Sequence, residues 1–523
     1  MAKRSKRKPA EVAASAEPAS ADDFMRGPLY FWLGVAAIVL AVFWVYSPSI
    51  HGDWLWDDDW YITSQPLLRN LNGLWKFWFA PGSWVEYYPV EETLLWIEWH
   101  LFGNDTLGYH VVTITLHALN ALLVWRLLAR LGLRKAWLGG FLFAVHPAAV
   151  DSVAWIAETK NTLVLLPFLL SVISWIDYEQ SRTPRDYWRS LALFLIAMLC
   201  KISVAPLPFV LLLYAWWKRR RIGWDDLKAT TPFFAISLVL GLLTIACGNW
   251  YYIDHEKFGD NAALGGVAFR LALAALALAH YLAHCFWPVL PLPIYPQWKV
   301  DPSAPLQFLP WLVLLASALV FWRFRAGWGR HALLGCGFSF LFLVPFIGFV
   351  GTTYHNFTWV MDHFLYVPVI GLIGLFVAAL QVAEQALPIA AKPLITGAVT
   401  IVVVLLAFEA HAYAQIYTDE GSLWSYTLEY DPNSWIAHYN MGNAFFIAGQ
   451  FTKAIPHYQR ALELHDNYLM AHNNLGLAYA QTGHLPEAKL QFEAALQISP
   501  NNMSARHNLA QAEALLAAPP AKP

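Results

Sequence analysis

The chain has 523 residues, is 58% hydrophobic and only 13% charged, and carries a formal net charge of −2. Soluble globular chains carry about 25% charged residues, so the composition excludes an ordinary water-soluble domain, and the near-neutral balance argues against a nucleic-acid partner. The 27 Trp and 23 Tyr suit the aromatic belts of membrane interfaces.

The N-terminus opens MAKRSKRKPA and runs on as a Ser/Ala/Glu-rich stretch to about Asp23. Residues 1–28 therefore read as a basic, disordered cytoplasmic tail. The first apolar run, Leu29 to Tyr46, is 18 residues long, enough to span a bilayer. It is long for a signal-peptide core and no small-residue cleavage site follows, so it reads as an uncleaved first crossing. Lys3, Arg4, Lys6, Arg7 and Lys8 then hold the N-terminus in the cytoplasm.

Beyond 29–48, membrane segments are predicted at 108–129, 135–148, 161–178, 188–200, 204–217, 229–247, 266–288, 306–325, 331–350, 363–382 and 393–413. Segments 188–200 and 204–217 are joined by Lys201-Ile202-Ser203, and Pro206 and Pro208 break the second. Irregular backbone at membrane depth is tolerated only inside protein or a wet cavity, so this pair reads as a hairpin with a buried turn. Four cysteines, Cys200, Cys247, Cys285 and Cys336, lie in apolar runs without paired spacing and read as small buried apolar residues.

Basic clusters at Arg126/Arg130/Arg134/Lys135, Arg182/Arg185/Arg189, Lys218/Arg219/Arg220/Arg221 and Arg323/Arg325/Arg330 mark cytoplasmic loops. Turns 49–107, 146–160, 200–203, 248–265, 289–305 and 351–362 then face outside. Segment 266–288 has both neighbouring loops outside, so it is expected to lie along the interface or re-enter, which leaves eleven crossings. The alternative is twelve crossings with a cytoplasmic C-terminal tail.

That tail repeats itself. The stretch AHYNMGNAFFIAGQFTKAIPHYQRALEL starts at Ala437 and AHNNLGLAYAQTGHLPEAKLQFEAALQI at Ala471, an offset of 34 residues, the tetratricopeptide period. Gly442/Gly476, Gly449/Gly483, Ala454/Ala488, Tyr458/Phe492, Ala461/Ala495 and Leu462/Leu496 match. Small residues let paired helices approach, while aromatic and Leu residues fill the groove between repeats. Residues 420–430, carrying Trp424 and Leu428, read as an unpaired second helix, and a helix from Ala505 caps the stack.

A transporter places ionisable residues near the midplane of its helices, and the helix interiors here are nearly bare of acids. Charge gathers at the outer turns: Trp56-Asp57-Asp58-Asp59, His146-Pro147, Asp151, Glu158-Thr159-Lys160, Lys201 and Met361-Asp362-His363. Carboxylates there suit a general base, and cations suit an anionic leaving group such as a lipid phosphate.

WDDDWYI at 56–62, YYPV at 87–90, LFGNDTLGYHVVTITLHALNALL at 101–123, HPAAVDSVAWIAETKNTL at 146–163, LALFLIAMLCK at 191–201 and MDHFLYVP at 361–368 occur in order ahead of the repeats. In these the chain resembles the membrane O-mannosyltransferases with C-terminal tetratricopeptide repeats, of the GT-C glycosyltransferase class. The resemblance implies an all-α fold: a GT-C-like polytopic helix bundle at 29–414, followed by a repeat α-solenoid at 415–517, with full repeats near 437–470 and 471–504 and a tail at 518–523. It implies inverting transfer of a sugar, mannose foremost, from a polyprenyl-phosphate donor to a Ser or Thr hydroxyl of a protein held by the repeats.

Carried onto this sequence, the catalytic candidates are Asp57 and Asp58: Asp57 as base, with Asp58 and Asp59 as support or metal contacts. Lys160 and Lys201 would contact the donor phosphate, and Tyr109, His110, His146, Asp362 and His363 complete the donor-binding candidates. No cofactor is required, and a divalent cation is compatible but not indicated. The family usually has Arg where His363 stands, and Ser where Cys200 stands. A guanidinium is always charged, whereas imidazole is often neutral at pH 7.

Plainer readings stand beside these. Three aspartates also make a solvated turn, and Lys160 and Lys201 also serve as snorkelling anchors. His110 and His117 share a helix face and suit packing. His280 and His284 have metal-ligand spacing but no third ligand nearby in sequence. Trp75 to Trp99 suits an interfacial helix, with sugar stacking secondary. Asn356-Phe357-Thr358 matches a glycosylation pattern too short to weigh much. The expected location is a bacterial inner (plasma) membrane, N-terminus inside and repeats outside. The alternative function is a non-catalytic membrane scaffold whose repeats recruit proteins.

Overall fold

A computed structural model describes residues 27–254 and 264–517. The expected N-terminal tail, the middle of turn 248–265 and the tail at 518–523 lie outside the described residues.

The described residues form helices and loops, with no strand among them. The membrane part holds α1 (Pro28–Val45), α2 (Leu71–Phe79), α3 (Pro89–Phe102), α4 (Thr106–Arg130), α5 (Ala136–Ala144), α6 (Val150–Ala154), α7 (Thr159–Ser181), α8 (Pro184–Cys200), α9 (Leu207–Arg219), α10 (Trp224–Asp254), α11 (Val267–Phe286), α12 (Leu309–Arg323), α13 (Gly329–Leu343), α14 (Val369–Ala386) and α15 (Lys392–Ala414). Among the described residues, nine helices are long and apolar enough to cross a membrane, or ten if α5 and the turn into α6, bent by 58°, make one span. The chain is a multi-pass membrane protein. The expected segments that fall short of a span alone are 135–148, 188–200 and 204–217, those interrupted by Pro or by the buried turn. Segment 266–288 is an unbroken helix of 20 residues. Segment 363–382 is shifted, because residues 362–365 form a separate short turn and α14 starts only at Val369.

α4 is the central strut. Gly140 on α5 meets it so closely that a Cβ there would lie 2.8 Å from the Ala121 carbonyl and 2.7 Å from Trp125, the small-residue contact that lets membrane helices pack without a hydrophobic drive. Arg130 binds Asp177 at 2.7 Å, and Glu179 receives both Arg182 and Arg219. The ends of α4, α7 and α9 thus meet at one end of the bundle. Asp57, in the loop after α1, Lys160, in the first turn of α7, and Lys201, just after α8, gather elsewhere.

The segment 49–107 is folded rather than extended, with α2 and α3 packed together. On α2, Leu71, Trp75 and Phe79 stand exposed at i, i+4 and i+8, an apolar stripe suited to a membrane surface.

α15 leads through one short turn into α16 (Glu420–Tyr430), and Asp419 caps α16 by accepting the Ser422 amide at 2.9 Å. The repeats follow as α17 (Trp435–Ile447), α18 (Phe451–Leu464), α19 (Leu469–Gln481), α20 (Leu485–Ile498) and the closing α21 (Met503–Ala517). Gly442 faces the Tyr458 ring and Gly476 the Phe492 ring; in both, an added Cβ would sit 2.6 Å from a ring carbon. One continuous apolar core runs from the membrane helices through Trp424 into α17–α19.

Candidate active site

The aspartate triplet divides its labour. Trp56 holds a left-handed backbone, φ 45°, a conformation that costs a non-Gly residue about 1–3 kcal/mol. Its ring stacks on Trp155 at 5.1 Å and meets Trp424 edge-on at 5.1 Å, and its amide donates to Glu420 at 2.5 Å. Asp58 is fully buried, and its two oxygens accept the amides of Leu55 at 2.9 Å and Ala157 at 2.6 Å. Asp59 is exposed and bonds Thr63 and Ser64. Asp57 alone is partly open, and among the described residues its carboxylate accepts no such bonds. Burial pushes its carboxyl up to about 7; Lys160 pulls against this, while Glu158, Glu420 and Glu86 add to it.

Two lysines meet around one glutamate. Glu158 lies 3.2 Å from Lys201 Nζ and 3.6 Å from Lys160 Nζ, and accepts from Asn161 at 2.5 Å. Lys201 also donates to Asn161 Oδ1 at 2.7 Å. Lys160 sits 4.4 Å over the Tyr61 ring and 3.9 Å from Glu86, which accepts the Tyr61 hydroxyl at 3.2 Å. Buried Glu91 belongs to the same electrostatic group, and burial holds it above the ordinary glutamate range. The buried turn at Lys201 matches the expected hairpin and delivers its cation into this cluster.

His363 is buried, 3.9 Å from Asp151, and interacts with Glu158, Lys201 and Lys160. Burial lowers it to about 4 despite Glu158, so it stands as a neutral imidazole and not as the cation that an Arg would supply. Asp151 accepts the hydroxyls of Tyr413, at 3.0 Å, and Tyr417.

The structure thus brings Asp57, Lys160, Lys201 and His363 together. The remaining candidates make other contacts. Tyr109 donates to the Gly103 carbonyl at 3.0 Å and packs on Trp54. His110 is buried beside Gly52. His117 bonds Tyr366 at 2.8 Å and Ala144 at 3.2 Å, as a packing histidine does. His146 caps the turn between α5 and α6 by accepting the Ala148 amide at 3.2 Å, and lies 3.1 Å from the Cys285 carbonyl. Asp362 accepts the Tyr295 hydroxyl at 2.8 Å, in a separate buried group with His284. His280 and His284 have no third ligand nearby in sequence, but folding carries Asp362 to them. Thr358 is buried and donates to Val360, so the Asn356 motif is tied into the core.

Glu86, Glu91, Asn161 and Tyr61 are additions to the sequence reading. Glu86 and Glu91 flank the YYPV stretch, a local signal, but only the fold shows that they face Lys160.

Residues 88–252 match the family described as dolichyl-phosphate-mannose-protein mannosyltransferase. Residues 442–483 and 470–502 match tetratricopeptide-repeat families. The mannosyltransferase match thus lies ahead of the tetratricopeptide-repeat matches in this chain. It is similar to mouse protein O-mannosyl-transferase TMTC4, 26% identical over 302 residues, covering 50% of this chain and 36% of the relative. It is similar also to human protein O-mannosyl-transferase TMTC1, 25% identical over 480 residues, covering 80% and 54%. The chain spans about half or less of the length of these relatives. A solved first repeat domain of Spaghetti (RPAP3) bound to an HSP90 peptide is 27% identical, with 18% of this chain and 76% of that chain covered and a TM-score of 0.18. The mannosyltransferase match contains Glu91, Glu158, Lys160 and Lys201; Asp57 and His363 lie outside it.

Proposed function

We propose that this chain is an inverting glycosyltransferase that moves a sugar, mannose foremost, from a polyprenyl phosphate to a Ser or Thr hydroxyl of a protein. The observation that carries the reading is the placement of Asp57: the one aspartate of its triplet left unbound, beside the Lys160–Glu158–Lys201 cluster and within electrostatic reach of Tyr468 in the repeats. Asp57 takes the acceptor hydroxyl proton as that oxygen attacks the anomeric carbon. The bond from that carbon to the phosphate oxygen breaks, and the lipid phosphate leaves toward Lys160 and Lys201. Asp58 positions the loop and touches no reacting atom.

A groove of about 980 Å³ runs between the loop at Asp53–Asp59 and the repeats, lined by Asn440, Asn443 and Asn474. Paired asparagines offer donors and acceptors to an extended peptide backbone, so this groove suits the acceptor. The positive-inside rule puts the N-terminus in the cytoplasm and groove and site outside. The test is transfer by the purified full chain, in lipid, from polyprenyl-phosphate mannose to Ser/Thr peptides. Transfer lost in D57N and kept in D59N is expected. Wild-type transfer rates in D57N would remove Asp57 as the base, and no transfer from any polyprenyl-phosphate sugar would overturn the reading.

A further inference from the structure

Next to the ion cluster, a second group of buried ligands is used by no step of the proposed transfer. His280 and His284 lie one turn apart on α11, with stacked rings 4.6 Å apart. Asp362 comes from the turn ahead of α14, and each of the three residues offers a ligand atom within 4.8 Å of the others. Two of the polar atoms are orphans. Oδ1 of Asp362, on a fully buried side chain, and the enclosed Nε2 of His280 have no hydrogen-bond partner among the described residues. A buried carboxylate oxygen and an imidazole nitrogen left unsatisfied are costly, so the arrangement calls for something between them.

We propose that His280, His284 and Asp362 bind a divalent transition cation of the zinc class. Two imidazoles and one carboxylate form the donor set that suits zinc, whose bonds of about 2.0–2.2 Å put ligand atoms roughly 3.3 Å apart in a tetrahedron. His284 Nε2 and Asp362 Oδ2 are 4.0 Å apart, so a small side-chain closure brings them to one ion. The Tyr295 hydroxyl now bridges this gap, 2.6 Å from His284 Nε2 and 2.8 Å from Asp362 Oδ2. It occupies the space between the two ligands, and either yields it or binds as a fourth oxygen. Magnesium and calcium prefer all-oxygen shells, so the imidazoles select against them. The ion would tie α11 to the turn that carries His363, giving it a positioning role independent of the transfer proposed above.

The experiment uses the full chain in detergent, stripped with a chelator, reloaded with Zn²⁺, desalted and measured for bound metal. Wild type is expected to retain one zinc per chain. H280Q, at a half-buried position, is expected to weaken zinc binding by at least about 10–100-fold, since even outer-shell changes at zinc sites cost that much. D362N should do the same. H457Q, which breaks the His438–His457 pair of the repeats at 3.2 Å, should retain the zinc. Because Asp362 is fully buried, the D362N result is read beside X-ray absorption of the zinc-loaded wild type, expected to show two imidazoles and oxygen. No zinc retained by wild type, unchanged binding in H280Q, loss in H457Q, or a sulfur ligand from neighbouring Cys285 would each overturn the site.

Discussion

Asp58 Oδ1 accepts the Ala157 amide at 2.6 Å, across 99 residues of sequence. That bond fastens the first loop to the start of the segment that carries Glu158 and Lys160. With the Leu55 amide on the other oxygen, it makes Asp58 the pin that sets where Asp57 stands. Removing it leaves two enclosed amides without acceptors. D58A is expected to lose about 2–5 kcal/mol, read as a lower melting temperature of the detergent-solubilised chain. D57N, whose side chain has no such partners, should melt near wild type. Equal losses in the two would contradict this division of roles.

The base reading fixes a pH profile. A general base works in its deprotonated form, and Asp57 is raised to about 7 by burial, so it holds a proton below that value. Transfer should therefore be full above about pH 8 and fall about tenfold per unit below about 7. A rate flat from pH 5 to 8 would set Asp57 aside, provided that binding of the donor does not limit the rate.

Glu158 is the shared partner of two buried lysines. Replacing it with Gln leaves both cations short of a counter-charge, a loss of about 3–5 kcal/mol by the usual cost of breaking a buried pair. Removing Lys201 at the same time should recover part of it, so E158Q/K201M is expected to be less destabilised than the sum of the single changes by about 0.5–3 kcal/mol. Strict additivity in denaturation midpoints would show that the 3.2 Å contact carries no coupling.

His363 is a neutral ring where the resemblance to the O-mannosyltransferases implies a guanidinium. H363R places a permanent cation beside Lys160 and Lys201. If the donor phosphate reaches this end of the cluster, KM for the donor should fall about tenfold, the lower range of one charge-assisted hydrogen bond. An unchanged or higher KM, with the protein still folded, would place the phosphate nearer the lysines alone.

In the repeats, G442V forces a branched side chain against the Tyr458 ring, 2.6 Å from where even a Cβ would sit. Overpacking of this kind costs about 1–3 kcal/mol, and limited proteolysis should then cut the tail of G442V before that of wild type.

The repeats were legible because their packing is local. Gly442 and Tyr458 are 16 residues apart and recur as Gly476 and Phe492, so one period displays the whole rule. Most membrane helices were legible for a similar reason, since hydropathy acts over a single segment. The site was legible only in pieces. WDDD marks the loop, but nothing local tells Asp57 from Asp58; the difference lies in an amide 99 residues away. Glu86 reads as a loop acid until Lys160 is brought within 3.9 Å. Asp362 stands 78 residues beyond His284, so only the folded chain shows them as neighbours.

Glu420 and Trp424 clasp Trp56, and one short turn separates the last membrane helix from the repeats. The repeats are therefore mounted and not tethered. A flexible linker would let a captured polypeptide sample many positions over Asp57. A fixed mount works as a ruler instead: a polypeptide seated in the asparagine-lined groove would present hydroxyls to Asp57 only at a set number of residues from its point of capture, so modified sites should fall at a constant spacing.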